Sequence, residues 1–234
     1  MKTIEQHKSL KAYNTFGVEC FCEYFTSVST TEELRAALLN EDFSQRFILG
    51  GGSNLLLTKN LSGLCIHVDL KGIRIVEEND DLVIIEASAG ENWHEFVLWT
   101  LDQGYGGLEN LALIPGNIGT APIQNIGAYG VELKDCFVNC TTLDTITATP
   151  HRFNLEEAVF GYRNSIFKTA LKGKHVITAV QFRLTKKNHI LKTDYGVIQE
   201  ELGSKVSSPK NIAEAVIAIR QRKLPDPKKI GNSG

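Results

Sequence analysis

The order of hydrophobic and polar residues predicts short helices and strands that alternate along the first part of the chain. Thr30 and Glu33 have the spacing of a capping box, which predicts a helix at about 31–40. The apolar run at 47–49 is typical of a short strand. Alternation of apolar and other residues over 64–70 predicts a further strand, buried on one face only.

The same patterns continue along the rest of the chain. They predict, in order, a hairpin, an amphipathic helix, two Thr-rich strands and a last helix that starts at a serine followed by proline. These elements lie at 73–78 with 82–87, at 91–103, at 136–149, at 175–184 and from Ser208 onward.

One segment has neither helical nor strand periodicity. Residues 110–131 contain no charged side chain, and from Gly116 onward a glycine recurs every few positions. An ordinary solvated loop carries charge, and glycine lets bare backbone approach another group closely. We therefore predict that this uncharged segment forms part of the wall of a buried ligand site.

Another glycine-rich loop, the first glycine loop in chain order, directly follows the strand predicted at 47–49. It consists of Gly50, Gly51, Gly52, Ser53 and Asn54 and contains no lysine or arginine. Backbone N–H groups in such turns form concave sites for anionic oxygens. Two uncharged loops of this kind indicate a phosphate-bearing cofactor held by peptide dipoles. Either loop alone is equally consistent with a tight turn in a β-rich protein.

Composition and charge narrow the classes of partner. The chain has 234 residues, a formal net charge of -2 at pH 7 and an isoelectric point near 6.3. This balance gives no broad basic surface, so we expect neither nucleic acid nor an anionic membrane as a partner. Residues 1–16 lack the apolar core of a secretory signal, and no apolar run is long enough to span a bilayer. We therefore expect a cytoplasmic protein.

Cysteine and histidine positions do not indicate a metal. The five cysteines make an odd count without a C-x-x-C pair, which is consistent with reduced thiols. The six histidines are scattered and show no H-E-x-x-H spacing. We therefore expect no metal site.

The spacing of the glycines restricts the choice of cofactor. Leu55 stands where the dinucleotide fingerprint G-x-G-x-x-G needs its third glycine, and a strand rather than a helix follows. A P-loop is excluded because no G-K-[ST] follows the glycines. A flavin dinucleotide fits better, since its ring needs an apolar slot and its diphosphate needs N–H donors. Side chains expected to contact that diphosphate are Ser53, Asn54, Thr120 and Asn125.

Longer motifs carry a resemblance to a known family. In chain order they are NTFG at 14–17, LGGGSNLLL at 49–57, AGENWHEFV at 89–97, GLENLALIPGNIGTAPIQNIGAYGVEL at 107–133, GYRNSIFK at 161–168 and RKLPDPK at 222–228. Together they closely resemble the UDP-N-acetylenolpyruvoylglucosamine reductases of bacterial cell-wall synthesis, in the form with a GYR-x-S string. The resemblance covers essentially the whole chain.

The resemblance implies a fold and a reaction. The fold is an α+β, FAD-binding fold of the type shared with vanillyl-alcohol oxidase and p-cresol methylhydroxylase. It implies two α/β subdomains at 1–66 and 67–218, with 219–234 as the entry to a substrate domain that is missing. In the implied reaction NADPH reduces FAD, and the flavin passes a hydride to a nucleotide sugar, UDP-N-acetylglucosamine enolpyruvate. The product is UDP-N-acetylmuramate, a peptidoglycan precursor.

The resemblance also implies roles for individual residues. Arg163 is the expected catalytic arginine, whose guanidinium holds the enolate and carboxylate oxygens, and Tyr162 is its orienting neighbour. Tyr195 is expected to pack over the nucleotide end of the substrate, and Lys223 to meet the substrate phosphates. The expected FAD-binding residues are Gly50, Gly51, Gly52, Ser53, Asn54, Gly116, Thr120, Gln124, Asn125, Gly127, Ala128 and Gly130.

The resemblance predicts further catalytic groups outside these 234 residues. In the family, the string at 231–234 is followed by a proton-donor serine, the substrate domain and a catalytic glutamate. Ser233 is not expected to replace that serine. We expect part of a reductase with little turnover by itself, because a positioned proton donor contributes about 10²–10⁴ in rate. Alternatives are a non-catalytic FAD- or nucleotide-binding protein and a flavin oxidoreductase of the same fold with another substrate.

Overall fold

The computed structural model describes residues 3–226 and 229–232. A four-stranded sheet forms its first part, with the spatial order β1-β2-β4-β3. β1 is antiparallel to β2, whereas β2, β4 and β3 run parallel. The strands are β1 (Glu5–Ser9), β2 (Phe21–Val28), β3 (Arg46–Leu49) and β4 (Leu61–Val68).

Helix α1 (Thr31–Leu38) makes the crossover between the parallel strands β2 and β3. The hydroxyl of Thr30 accepts a hydrogen bond from the backbone N–H of Glu33 at 3.1 Å, which fixes the helix N-terminus. Leu34 and Leu38 are buried beneath the helix. The helix predicted at 31–40 is therefore confirmed. The strand predicted at 47–49, which leads into the first glycine loop, is confirmed as β3.

Strand β4 corrects the prediction of a half-buried strand at 64–70. Leu64, Ile66 and Val68 pack into one apolar cluster, while Cys65 packs into another. β4 lies between β2 and β3 in the sheet, and on its second face Cys65 is buried while His67 is half-buried. The prediction failed because a cysteine at a non-core position of the pattern behaves as a small buried hydrophobe.

The second sheet has five antiparallel strands in the order β10-β9-β11-β6-β5, and β7 with β8 form a separate short hairpin. The strands are β5 (Ile73–Glu78), β6 (Leu82–Ser88), β7 (Gly127–Ala128), β8 (Val131–Glu132), β9 (Phe137–Asp144), β10 (Pro150–Asn154) and β11 (His175–Thr185). The predicted hairpin and the Thr-rich strand at 175–184 are confirmed. The strand predicted at 136–149 is correct only as far as Asp144, because 145–149 form the turn that leads into β10.

Three further helices belong to this second part: α2 (Trp93–Asp102), α3 (Gly196–Leu202) and α4 (Pro209–Lys223). Ser208 caps α4 and Pro209 begins it, as predicted. The largest core cluster forms beneath these helices, and the rings of Trp93 and Phe96 lie 5.9 Å and 5.0 Å from that of Phe182. This core anchors the N-terminal turn of α2, which borders the site described below.

The predicted subdomain limits stay predictions. The first sheet ends with β4 at Val68 and the second begins with β5 at Ile73, so the limits at 66 and 218 fall inside β4 and α4. Within the third predicted segment, 227–228 and 233–234, including Ser233, lie outside the described residues.

The cysteines form no disulfide and all five are buried. Burial raises the pKa of the Cys140 thiol to about 12 and raises the pKa of each of the other four thiols. Across 3–226 and 229–232, no group of three histidine, cysteine or acidic side chains could hold a metal ion. No helix within these ranges is long and apolar enough to cross a membrane.

Candidate cofactor and substrate site

The two uncharged loops lie against each other. A β-carbon on Gly50 would be 2.7 Å from Cγ2 of Thr120, and one on Gly116 would be 2.9 Å from Oγ of Ser53. Only glycine permits this approach, because real β-carbons essentially never come within 3.0 Å of another atom. Nδ2 of Asn54 also donates to Oε1 of Gln124 at 3.0 Å, which joins the loops by a side-chain hydrogen bond.

A cleft of about 240 Å³ lies between the loops. Apolar side chains, including those of Ile48, Leu55 and Pro115, form much of its wall. Lys168 is the only charged residue among the described residues that line it. The predicted residues that line it are Gly50, Gly52, Ser53, Asn54, Thr120 and Gln124.

The first glycine loop keeps unused hydrogen-bond donors. No acceptor within the described part of the chain binds the backbone N–H groups of residues 51–54. Gly52 has a φ of +61°, and a β-carbon there would be 1.9 Å from the carbonyl oxygen of Tyr13. A glycine cradle with these N–H groups, beside a cleft whose only charged described lining residue is the cation Lys168, fits the diphosphate of a dinucleotide cofactor.

Asn125 differs from the other predicted cofactor residues because its side-chain amide is hydrogen-bonded to other groups of the protein. It is completely buried and has a φ of +44°. Its Nδ2 donates to Oε2 of Glu132 at 3.1 Å and to the carbonyl oxygen of Gly161 at 3.0 Å. Its Oδ1 accepts from the backbone N–H of Lys134 at 3.0 Å. Asn125 thus fastens the end of the uncharged segment to the GYRNSIFK turn.

Gly127, Ala128 and Gly130 belong to the β7–β8 hairpin and do not line the cleft. Nη2 of Arg163 donates a hydrogen bond to the carbonyl oxygen of Gly127. A β-carbon on Gly127 would be 2.7 Å from Nη1 of Arg163 and 2.9 Å from the backbone carbonyl oxygen of Val131, so a larger residue here would displace the guanidinium and crowd the backbone of β8. The structure therefore places these three residues in the hairpin that Arg163 contacts.

Arg163 is surrounded by groups that orient its guanidinium. Its Nη1 lies 4.0 Å from Oε1 of Glu132, and its Cζ lies 5.2 Å from the centre of the Tyr162 ring. The pKa of Glu132 is lowered mainly by a hydrogen bond from Lys134, with smaller effects of Asn125 and Arg163. Glu132 is thus held as an anion beside the arginine.

The backbone of Arg163 is itself unusual. Its φ is +51°, a conformation that non-glycine residues seldom adopt, and Nζ of Lys168 donates to its carbonyl oxygen at 2.9 Å. Its side chain remains 39% exposed, so a ligand can reach it. Strained conformations held by surrounding contacts cluster at functional sites, which favours Arg163 as a site residue.

Tyr195 lies near the same hairpin, and Lys223 lies at the end of α4. The ring of Tyr195 is about half exposed and makes an edge contact, at 5.6 Å between centroids, with Tyr129 at the tip of the β7–β8 hairpin. Lys223 is the exposed last residue of α4. In the described ranges it makes no hydrogen bond or ion pair with Arg163 or Tyr195.

A second, larger cleft of about 710 Å³ shares Pro115 with the first. It is lined by His94 from α2, by Arg220 from α4 and by Leu113 and Thr15, among others. Burial lowers the pKa of both His94 and Arg220. No pattern in the sequence predicted a role for His94, Arg220 or Lys168. The only available signal was the presence of His94 and Lys168 inside the quoted motifs.

Comparisons of sequence and fold agree on the class of protein. A family model described as an FAD binding domain matches residues 23–155, which include both uncharged loops. A solved UDP-N-acetylenolpyruvylglucosamine reductase from Thermus caldophilus has a TM-score of 0.70 and 23% identity, and it covers all of this chain and 74% of that chain. A solvent-stable cholesterol oxidase has a TM-score of 0.55 and 13% identity, over 78% of this chain and 38% of its own. The class is an α+β, FAD-binding fold, as predicted.

Closer relatives define the particular family. The UDP-N-acetylenolpyruvoylglucosamine reductase of Flavobacterium johnsoniae is 53% identical over 234 residues, and that of Pseudomonas putida is 44% identical over 237. The matches cover 99% and 98% of this chain and 69% of each relative. The chain belongs to the UDP-N-acetylenolpyruvoylglucosamine reductase family, a family of flavin oxidoreductases. The predicted resemblance and enzyme class are confirmed.

Proposed function

We propose that this chain binds FAD and takes part in the NADPH-dependent reduction of UDP-N-acetylglucosamine enolpyruvate to UDP-N-acetylmuramate. The observation that carries the proposal is the contact between two uncharged glycine loops around a cleft, where the N–H groups of 51–54 have no acceptor among residues 3–226 and 229–232. Family membership supports the same reaction. We further propose that the reaction belongs to cytoplasmic peptidoglycan synthesis, since both compounds are nucleotide-linked precursors.

Residues of both loops would hold the cofactor. The N–H groups of 51–54, with Ser53, Thr120 and Gln124, would bind the diphosphate without any charge inside the loops. Lys168 adds one cation at the cleft wall, where it complements the diphosphate. When bound, FAD supplies the hydride chemistry between NADPH and the enolpyruvyl double bond.

Arg163 would stabilise the negative charge that develops on the substrate. Hydride addition to the double bond leaves negative charge on the carbon that bears the carboxylate. The two carboxylate oxygens share this charge as an enolate, and a rigid guanidinium can contact both of them. Contacts with Gly127, Glu132 and Tyr162 hold the guanidinium in place before the substrate arrives. Tyr195 would pack against the nucleotide end of the substrate, and Lys223 would meet its phosphates.

We also propose that the 234 residues alone bind FAD without sustaining turnover. From the resemblance of the motifs, we expect the proton donor and the catalytic glutamate to lie outside these 234 residues. The relatives are also longer than this chain. In the absence of turnover, the purified chain is a flavin- or nucleotide-binding protein.

A visible absorption spectrum tests the proposal directly. The purified chain, incubated with excess FAD and then desalted, is expected to retain the flavin band, and NADPH is expected to bleach it. A protein that stays colourless contradicts the proposed cofactor. Measurable reduction of the enolpyruvyl substrate at the rate of a full-length relative contradicts the proposed lack of turnover.

A further inference from the structure

Leu113 is a strained residue whose two peptide groups are both bound by side chains. Its φ is +58°, a left-handed conformation that brings the β-carbon of a non-glycine residue too close to its own backbone. Its N–H donates to Nδ1 of His94 at 3.0 Å, and its carbonyl oxygen accepts from Nε of Arg220 at 3.2 Å. These two hydrogen bonds hold the left-handed conformation.

The position of Leu113 matters because Pro115, two residues further on, lies in the wall of both clefts. The neighbouring backbone is fixed by the first turn of α2. Nε1 of Trp93 donates to the carbonyl oxygen of Leu111 at 2.9 Å, and the backbone N–H of Trp93 donates to the carbonyl oxygen of Gly116 at 3.0 Å. Leu113 is thus the strained position between two fixed points.

The hydrogen bond to His94 requires one protonation state. A ring nitrogen that accepts from a backbone N–H carries no proton, so His94 is neutral with its proton on Nε2. An imidazolium has two donors and no acceptor, and it would face the Leu113 N–H with a proton. Charged groups near His94 are Glu95 on its own helix, and Arg220 and Asp226 across the second cleft.

We propose that neutral His94, together with Arg220, is a positioning residue of the cofactor site. It holds Leu113 in the left-handed conformation and thereby sets Pro115 between the two clefts. Protonation of His94 then weakens FAD binding. This inference rests on the proposed function, because FAD is the ligand whose binding it modulates. Protonation of His94 is disfavoured at neutral pH, since burial lowers its pKa below the ordinary 6.5 and Arg220 lowers it further, against the opposing effect of Glu95.

Two substitutions separate the hydrogen bond from the shape of the side chain. In His94→Asn, Oδ1 can take the place of Nδ1 as acceptor but does not titrate. In His94→Phe the acceptor is lost. FAD affinity is measured by quenching of flavin fluorescence at about pH 7.5 and about pH 4.5; the lower value lies well below the ordinary histidine pKa, because burial lowers the pKa of His94.

We expect the wild type to bind FAD about tenfold more weakly at the lower pH. His94→Asn is expected to bind equally at both pH values, and His94→Phe about tenfold more weakly than wild type at the higher one. The inference is overturned if wild type and His94→Asn share one pH profile, or if His94→Phe binds like wild type at the higher pH.

A rescue experiment checks that His94 acts through Leu113. Glycine adopts a positive φ without strain, so Leu113→Gly added to His94→Phe is expected to recover most of the lost FAD affinity. Failure to recover affinity in a folded double variant contradicts the role of Leu113.

A flavin-free measurement separates this inference from the proposed function. The amide ¹H–¹⁵N shift of Leu113 is expected to change with the titration of His94 in the wild type and to stay constant in His94→Asn. A wild type that binds no FAD at any pH contradicts the proposed function, whereas a Leu113 shift that ignores His94 contradicts the positioning role.

Discussion

The two parts of the uncharged segment contribute different chemical groups to the site. These parts are residues 110–124 and 125–131. The first part packs against the first glycine loop and lines the cleft with backbone and neutral side chains. The second part turns into the β7–β8 hairpin, which contacts Arg163 and carries Glu132. From this difference we infer that backbone groups hold the cofactor at one end, while side-chain charge serves the substrate at the other.

The two ends should therefore respond to different substitutions. At the cofactor end the critical property is space, since glycines allow the loops to touch. At the substrate end the critical property is the orientation of the Arg163 guanidinium, since three different neighbours hold it in place. The predictions below test this division, from the largest expected effect to the smallest.

Gly52→Ala is expected to have the largest effect. The added methyl group would overlap the carbonyl oxygen of Tyr13 in addition to straining a φ of +61°. We expect a loss of more than about 3 kcal/mol in the free energy of unfolding, together with loss of FAD binding. Urea denaturation and FAD titration measure the two effects.

Gly104→Ala is the matched control for Gly52→Ala. Gly104 has a φ of +79°, but nothing lies within 4 Å of an added β-carbon. The Gly104→Ala variant is expected to lose about 1 kcal/mol in the free energy of unfolding and to keep its FAD affinity. Equal losses in the two variants would show that backbone strain alone, rather than the approach to Tyr13, makes Gly52 necessary.

Arg163→Lys, made in a protein that also has the substrate domain, is expected to lower kcat about 10²-fold or more. FAD affinity should change little, because Arg163 contacts the hairpin and not the cleft. Steady-state kinetics and FAD titration distinguish the two. Arg183→Lys, on an exposed position of β11, is the control and should leave both unchanged. Parallel losses of kcat and FAD affinity would assign Arg163 a structural role.

Asn54→Ala removes the side-chain hydrogen bond that joins the two loops. We expect FAD to bind about fivefold more weakly, which corresponds to one partly exposed hydrogen bond. Ser62→Ala removes an exposed hydrogen bond to Gln45 outside the cleft and serves as control. If both variants bind FAD alike, the contact between Asn54 and Gln124 does not shape the site.

Glu132→Gln should show a small, pH-dependent effect. The pKa of Glu132 is lowered from 4.5, so its ionised form stabilises the fold fully above pH 4.5 and this contribution is lost as the pH falls through the lowered value. Over that range the wild type should lose about 0.5 kcal/mol more stability than Glu132→Gln. Urea denaturation across the acid range measures it, with the exposed Glu156→Gln as control. Identical slopes for Glu132→Gln and wild type would contradict the assignment.

Much of the fold followed from local patterns. The cap at Thr30 and the proline at the start of α4 marked helix ends correctly, because capping is satisfied by residues close in sequence. The half-buried assignment of β4 was wrong, since burial of Cys65 depends on what covers the far face of the sheet. A strand pattern alone does not contain that information.

The candidate site was predictable to a similar degree. Absence of charge together with repeated glycine pointed to both loops, and the structure brings Gly50 and Thr120 together as this required. The internal hydrogen bonds of Asn125 and the entry of Lys168 into the cleft were not predictable, because their partners are distant in sequence. The FAD-binding role of each residue stays a prediction.

The sequence by itself determined that two uncharged, glycine-rich segments exist, that the elements between them are mainly strands, and that a GYRNSIFK turn supplies an arginine. Only the tertiary structure decided that Gly116 lies against Ser53, and that His94 and Arg220 meet at Leu113. The physical reason is range. Backbone preference and capping act over a few residues, whereas a cleft is defined by atoms that the two sheets and their helices bring together from distant parts of the chain.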